Sequence, residues 1–390
     1  MQSLLTQVEQ QLNPFPLYQT MRQSHPVYAD PQYGSWNVFG YEDVQRVLSD
    51  YETFSSQFRG GGSPDQGSPF AASIISTDPP RHRQLRSLVT QAFTPRAVEA
   101  LAPRITAIVA EHLERVSTWG SMDVIEDLAY PLPVIVIAEL LGIPSQDRER
   151  FRRWSDFAVQ SGDSMSSEDL QRFKGSEMME MGMYFMSMIE QRRRSPGADL
   201  ISGLINASIE NEKLSQMELL GFCVLLLVAG NETTTNLIAN ALQTFCEHPE
   251  VWQQLRAHPE LLPGAIEEVL RYRSPVQAMF RNTTRAVSLR GQAIPAGESV
   301  IAWIGSANHD ETLFPQPERF EIERSPNKHL AFGNGIHYCL GAPLARLEAR
   351  LALGAMLERF SSVSLAPGSA LQRRPSLIVY GLRSLPVIFS

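Results

Sequence analysis

FGNGIHYCLGAPLAR, residues 332–346, carries one of only three cysteines in a chain of 390 residues. Glycines at 333, 335 and 341 let the backbone turn sharply and come close to a neighbour. Leu340 to Phe360 reads as a helix, with Pro343 tolerated in its first turn. Cys339 therefore falls at a helix N-terminus, where backbone N–H groups and the helix dipole favour a thiolate. On these residues alone three uses stay open: a structural thiol, a nucleophile that would need a base and an orienting group, and a metal ligand. Zinc is disfavoured. It takes four ligands, or three and a water, and His337 with Cys339 supplies two without a second pair.

Composition narrows the class. Hydrophobic residues make up 43% and charged residues 19%, with a formal charge of −8, as expected of a soluble globular protein with no nucleic-acid partner. Only Lys174, Lys213 and Lys328 are lysines among 34 basic residues, so the positive side is almost all arginine, which suits bidentate contact with carboxylates. Cys223, Cys246 and Cys339 make no disulfide framework and point to a reducing compartment, the cytoplasm. The polar opening MQSLLTQVEQQLNPFPLYQ has no signal character. The longest apolar run, Leu219 to Gly230, is shorter than the roughly 20 residues a bilayer needs, so no membrane anchor is expected.

Along the chain, residues 26–39 read as a β-hairpin turning at Gln32-Tyr33-Gly34, followed by a short helix containing Asp43 to Leu48. QFRGGGSPDQGSPF (57–70) reads as a loop, either a linker or a lid. Residues 81–270 are mostly helical in pattern. Seven of the thirteen methionines fall between Met165 and Met188; core filling is the preferred reading over a plastic lid. Residues 286–305 and SLIVYGLRSLPVIFS (376–390) alternate like strands.

A long helix is expected from Ser215, whose S-x-x-E pattern with Glu218 is a capping box, to about His248. Gly230-Asn231-Glu232-Thr233-Thr234-Thr235 interrupts its apolar run. This stretch reads either as a kink with internally satisfied polar groups or as a widened turn handling protons beside a cavity. His82 and Arg86 share a helix face, as do Glu268 and Arg271.

FGNGIHYCLG matches F-G-x-G-x-H-x-C-x-G, the haem-binding pattern of the cytochrome P450 family, and the chain resembles that family from about Asn13 to Ser390. DPPRHRQLRSLVTQAFTPRAV is similar to its helix with an H-x-x-x-R pair. AGNETT resembles its oxygen-activating A-G-x-[DE]-T-T stretch, EEVLR its E-x-x-R, and PERF the segment supplying an arginine partner, here Arg319. The soluble bacterial branch is the nearest in character.

The resemblance implies a mainly α fold with small β-sheets, the P450 fold, with haem between the long central helix and the Cys-ligand helix. It implies a single domain over 1–390: a helix-rich core at about 81–275 and β-rich portions at about 26–40, 286–305 and 376–390. It makes Cys339 the axial thiolate of haem b, a ligation that pushes electron density onto iron. Phe332, Gly333, Gly341 and Ala229 would pack at the haem. His82, Arg86, Arg281 and His337 would hold its two propionates. Glu268, Arg271 and Arg319 would form a buried supporting network. Thr233 would hold O2 and a water, and Glu232 would relay protons from solvent.

The implied activity is monooxygenation of an apolar small molecule, whether fatty acid, terpenoid, steroid or macrolide-like. Its walls would be Ile74, Leu225, Val228, Ala229, Val276, Ala278 and Val379. With no flavin or nicotinamide segment legible, electrons are expected from a ferredoxin or flavodoxin with its NAD(P)H-dependent reductase. Arg81, Arg83, Arg86 and Arg96 suggest a basic docking patch. A peroxide-driven peroxygenase and a non-enzymatic haem sensor are the alternatives.

Overall fold

The computed structural model describes residues 13–57, 73–159, 167–208 and 212–390. All of the loop 57–70 except Gln57, and Met165, lie outside them. In chain order the helices are α1 (Phe15–Ser24), α2 (Tyr41–Ser49), α3 (Arg81–Ala92), α4 (Pro95–Glu99), α5 (Ala102–Val116), α6 (Pro131–Leu140) and α7 (Arg148–Val159). They continue as α8 (Ser167–Arg194), α9 (Leu200–Asn206), α10 (Gln216–Glu247), α11 (Pro249–Ala257), α12 (Leu262–Tyr272), α13 (Ile304–Ala307) and α14 (Ala342–Arg359). Helices dominate, as the sequence pattern implies, and the chain gathers into two compact units.

One unit holds the described residues up to Ser56, then Ala102–Ala129 and Thr233–Ser390. Its main sheet is built from β1 (Val27–Asp30), β2 (Ser35–Val38), β3 (Phe54–Ser55), β5 (Ala278–Thr283) and β8 (Ser299–Trp303), in the order β1-β2-β8-β5-β3. The expected hairpin is β1–β2. Asp30 Oδ1 accepts from the Gln32 N–H at 2.9 Å, and Gly34 closes the turn at φ +60°. Val44, Val47 and Leu48 of α2 share one face and pack with Val38, Val300 and Ala302 on one side of the sheet. Tyr18, Met21, Phe39, Ala278, Ile301 and Trp303 fill the other side.

Strand β4 (Ser121–Asp123) lies in a smaller sheet with β9 (Val363–Leu365) and β10 (Pro386–Phe389), in the order β4-β10-β9, while β6 (Val287–Leu289) and β7 (Gln292–Ile294) make a hairpin. The strand pattern over 376–390 forms a ladder only at β10. Val379 and Leu382 make isolated bridges, to Val276 and Arg373. Between them Gly381 lies against α10, where a Cβ would come within 2.0 Å of Asn236 Oδ1. Helix α14, which follows the cysteine, packs against α5 and α12.

The other unit holds the described parts of Gln57–Leu101 and Tyr130–Glu232. Its helices pack α6 on α7, α7 on α8, α8 on α9 and α9 on α3. Arg150 and Arg153 of α7 pair with Glu177 and Glu180 of α8. Of the α8 methionines, Met181 and Met188 are buried, whereas Met179 and Met183 are 66% and 61% exposed. Core filling therefore describes only part of that run.

Helix α10 starts at the expected capping box: Ser215 N–H donates to Glu218 Oε2 at 2.8 Å, and Glu218 N–H to Ser215 Oγ at 3.3 Å. Its 32 residues are about 48 Å long. It is long and apolar enough to cross a membrane, but most of its apolar stretch is buried in the protein. The helix is continuous through the polar stretch 230–235. One glycine and three threonines cost only about 2–3 kcal/mol of propensity together. Burial of Leu220, Phe222, Val224, Leu237, Leu242 and Phe245 outweighs that, at about 1.5–3 kcal/mol per side chain. Asn231 is held laterally through its Nδ2, which donates to Ser155 Oγ at 2.7 Å, while its buried Oδ1 has no partner among the described residues.

Candidate active site

The 332–341 segment forms a tight loop ahead of α14. Gly333 and Gly335 adopt φ +75° and +71°, in the left-handed region that favours glycine. A Cβ on Gly335 would also stand 2.8 Å from Ser49 Cα at the end of α2. Gly335–His337 make one 3-10 turn, and Gly341 is the N-cap of α14. The loop is pinned across its base by the Cys339 N–H, which donates to Phe332 O at 2.9 Å. Cys339 is exposed, and a Cβ on Gly341 would come within 3.9 Å of its Sγ. By contrast Cys223 is buried, its thiol pushed up to about 12 by desolvation.

Cys339 offers haem iron one soft, accessible sulfur at a helix start, where a thiolate is favoured. Among the described residues no three His, Cys, Asp or Glu side chains gather into a cage for a bare ion. One protein thiolate suits an iron whose other donors come with its own macrocycle, and Gly341 places no side chain beside Sγ. The residues fit haem.

Behind the loop lies a buried ionic network. Glu268 and Arg271 are both fully buried and pair through Nε–Oε2 at 2.8 Å and Nη2–Oε1 at 2.7 Å. Arg271 also donates to the carbonyls of Asn308, Pro317 and Arg319. Glu268 further accepts from Arg324 Nε at 3.1 Å, Asn327 Nδ2 at 3.1 Å and the Glu321 N–H at 3.0 Å. The expected third member, Arg319, is corrected here: its side chain is exposed and it contributes only its carbonyl. Arg324 is the second arginine of the network. Asn308 joins the network to the ligand loop, its Oδ1 accepting from the Leu330 N–H at 2.7 Å.

Arg281 is buried on β5 and donates to Phe280 O at 2.8 Å. Val276 and Val379 face each other across an isolated bridge. Ala278 is corrected as a pocket wall: strand alternation turns it into the core among Tyr18, Phe39, Ile301 and Trp303. Thr233 is half-buried on α10.

In the second unit, His82 is buried and Arg86 half-buried, on one face of α3. Leu225, Val228, Ala229 and Glu232 form the less buried face of α10, at helical spacing. Ile74 is half-buried in a 3-10 turn at Ile74–Ser76. Arg81 is removed from the expected basic patch. Its Nε and Nη2 donate to Glu218 Oε1 and Oε2 at 2.7 and 2.6 Å, and Nη1 reaches Glu212 Oε2 at 3.4 Å. Arg83 and Arg96 remain exposed.

The cytochrome P450 family model matches residues 4–259 and 256–381 of this chain. The chain belongs to the cytochrome P450 family. It is 44% identical over 380 residues to cytochrome P450 109 of Bacillus spizizenii, covering 96% of this chain and 92% of that protein. It is 41% identical over 386 residues to the cytochrome P450 monooxygenase PikC of Streptomyces venezuelae, covering 96% and 91%. The crystal structure of substrate-free CYP109E1 from Bacillus megaterium superimposes with a TM-score of 0.93 at 43% identity, covering 97% of this chain and 98% of that one. A second structure of CYP109E1 is its complex with corticosterone, with a TM-score of 0.89. This P450 thus has the P450 fold and is a monooxygenase of a family that uses haem and O2.

Four residues around the P450 ligand loop escaped the sequence reading: Glu267, His329, Tyr338 and Arg346. Arg346 bonds Glu267 through Nε–Oε1 at 2.7 Å and Nη2–Oε2 at 2.8 Å, across 79 positions of sequence. The Arg346 bonds and a hydrogen bond from His329 hold the Glu267 carboxyl down at about 2, against the upward push of burial. The E-E-V-L-R and A-R-L-E spacings contain both residues, but helical pattern alone does not say that they meet.

Proposed function

We propose that this P450 inserts one oxygen atom from O2 into an apolar small molecule, with haem b ligated by Cys339 and a ferredoxin or flavodoxin as electron donor in the cytoplasm. The observation that carries the reading is the accessible Cys339 thiol in its glycine loop ahead of α14, in a chain of this family. Haem, when bound, supplies the activation of O2 and the oxidising power.

The chain's own residues do the rest. The start of α14 keeps the Cys339 sulfur as thiolate, and Phe332 O fixes its backbone. His82, Arg86, Arg281 and His337 are four donors for two propionate carboxylates. Gly333, Gly341 and Ala229 offer small surfaces to the flat ring. The Thr233 hydroxyl holds a water and passes a proton, and Glu232, the next residue on the open face of α10, resupplies it from solvent. Ile74, Leu225, Val228, Val276 and Val379 exclude water and orient an apolar substrate. Glu268, Arg271 and Arg324 support the loop and touch no reacting atom.

The substrate class we propose is steroid-sized. The support is the corticosterone complex of CYP109E1, 43% identical to this chain. The test is turnover of the haem-loaded protein with surrogate ferredoxin, reductase, NADPH and isotopically labelled O2 on a steroid panel. One labelled oxygen atom per product, with NADPH consumption that depends on the steroid, is expected. Equal turnover from peroxide without a redox partner would instead establish the peroxygenase reading.

A further inference from the structure

Arg346 lies in the second turn of α14 and meets both sides of the ligand loop. Its guanidinium carbon sits 4.4 Å from the Phe332 ring centroid. Its Nη1 reaches Tyr338 Oη at 3.4 Å, and the Phe332 and Tyr338 rings are 6.3 Å apart. The other face of the fork is fixed by both oxygens of Glu267, on α12. His329 steadies Glu267 in turn. Its Nδ1 accepts from the Ala331 N–H at 3.3 Å, so Nε2 carries the proton that is donated to Glu267 Oε2 at 3.0 Å.

These contacts bracket the ligand. Phe332 and Tyr338 flank the loop's two arms, Tyr338 immediately precedes Cys339, and Phe332 O accepts the Cys339 N–H. A planar, bidentate cation is suited to this position. Lysine keeps the charge but neither the fork nor the flat surface that stacks on Phe332.

We propose that Arg346 is a positioning residue for the Cys339 thiolate, clamping Phe332 and Tyr338 so that the loop cannot open, with Glu267 both aiming the guanidinium and balancing its charge. This rests on thiolate ligation of haem by Cys339. Arg346 and Glu267 then act on the site in two separable ways. Loss of either loosens the loop. Loss of Arg346 leaves the Glu267 charge uncompensated, whereas loss of the Glu267 charge leaves that of Arg346.

The experiment compares wild type, R346A, R346K, E267Q and R359A, all haem-loaded. Arg359 is a control on the same helix, paired to Glu114 at the end remote from the loop and equally exposed at 34%. Two quantities are read: the half-life of the red-shifted Soret band of the ferrous carbon monoxide form, and the haem midpoint potential. R346A should shorten the half-life roughly tenfold, the order a partly desolvated cation–π contact supports, and R346K should restore little of it. The potential should fall in R346A and rise in E267Q, whereas a merely structural role moves both the same way. R359A should match wild type.

A wild-type half-life and potential in R346A, full rescue by lysine, or equal shifts in R359A would overturn the proposal. Should R346A fail to take up haem, R346K and E267Q decide by the same criteria. No red-shifted band in wild type would refute thiolate ligation itself, before any variant is compared.

Discussion

Replacing Arg324 with alanine removes the second arginine from a carboxylate that sees no solvent. Glu268 is 0% exposed, and the Arg324 side chain is 6% exposed. The lost bond to Glu268 is charge-assisted and contributes about 1.5–3 kcal/mol. Three carbonyls, of Pro315, Gln316 and Arg319, also lose a donor, but they lie near enough to the surface to rehydrate. The full penalty for an orphaned buried charge, about 3–5 kcal/mol, is not reached, because Arg271, Asn327 and the Glu321 N–H still hold the carboxylate. A loss of about 2–3 kcal/mol follows, which lowers the thermal midpoint by roughly 4–10 °C for a unit of this size. Arg319→Ala removes an exposed side chain and leaves its carbonyl in place, so it should cost no more than about 0.5 kcal/mol. Circular dichroism melts of both variants, with haem content after purification, make the comparison. Arg319→Ala falling as far as Arg324→Ala would refute the assignment of Arg324 and the reasoning about which arginine turns inward.

Thr233→Ala should keep haem content and the red-shifted band while diverting reducing equivalents to peroxide; fully coupled product formation would contradict the role given to Thr233. Glu348 on α14 is 1% exposed, and burial raises its carboxyl from 4.5 to about 8. An acid whose folded value lies above its unfolded one binds a proton that the unfolded chain releases, so its contribution to stability falls as pH rises from 4.5 to about 8, by up to about 1.4 kcal/mol per unit. Denaturant melts of Glu348→Gln across pH 5 to 8 should show that slope flattened and the alkaline side stabilised; an unchanged slope would mean that Glu348 is ionised in the fold. Arg83→Glu and Arg96→Glu should slow reduction by a surrogate ferredoxin at low salt, while Arg81→Ala should not, because Glu218 and Glu212 already neutralise it. Stopped-flow reduction rates that fall equally for all three would restore Arg81 to the docking patch.

The ligand loop was legible because its constraints are local. Positive φ at Gly333 and Gly335, Pro343 in the first turn of α14 and the Ser215–Glu218 box each leave a mark within a few residues. What was not legible depended on which way a side chain turns in three dimensions. Arg319 and Arg324 stand five positions apart in an irregular segment, and only the packed position of Glu268 selects between them. Ala278 follows strand parity, but parity does not say which face meets Tyr18 and Trp303. The polar stretch 230–235 resembles a break when local propensity is weighed alone, but burial of the apolar side chains on either side outweighs that propensity. The Glu267–Arg346 pair joins two helices through side chains that each look like surface charges in sequence.

The most direct test of the account is the carbon monoxide difference spectrum of the dithionite-reduced protein, measured beside Cys339→Ala. A strongly red-shifted Soret band in wild type, abolished in Cys339→Ala, is the expected result. A band at the position of histidine-ligated or neutral-thiol haem in freshly prepared wild type would contradict the claim that Cys339 holds iron as a thiolate.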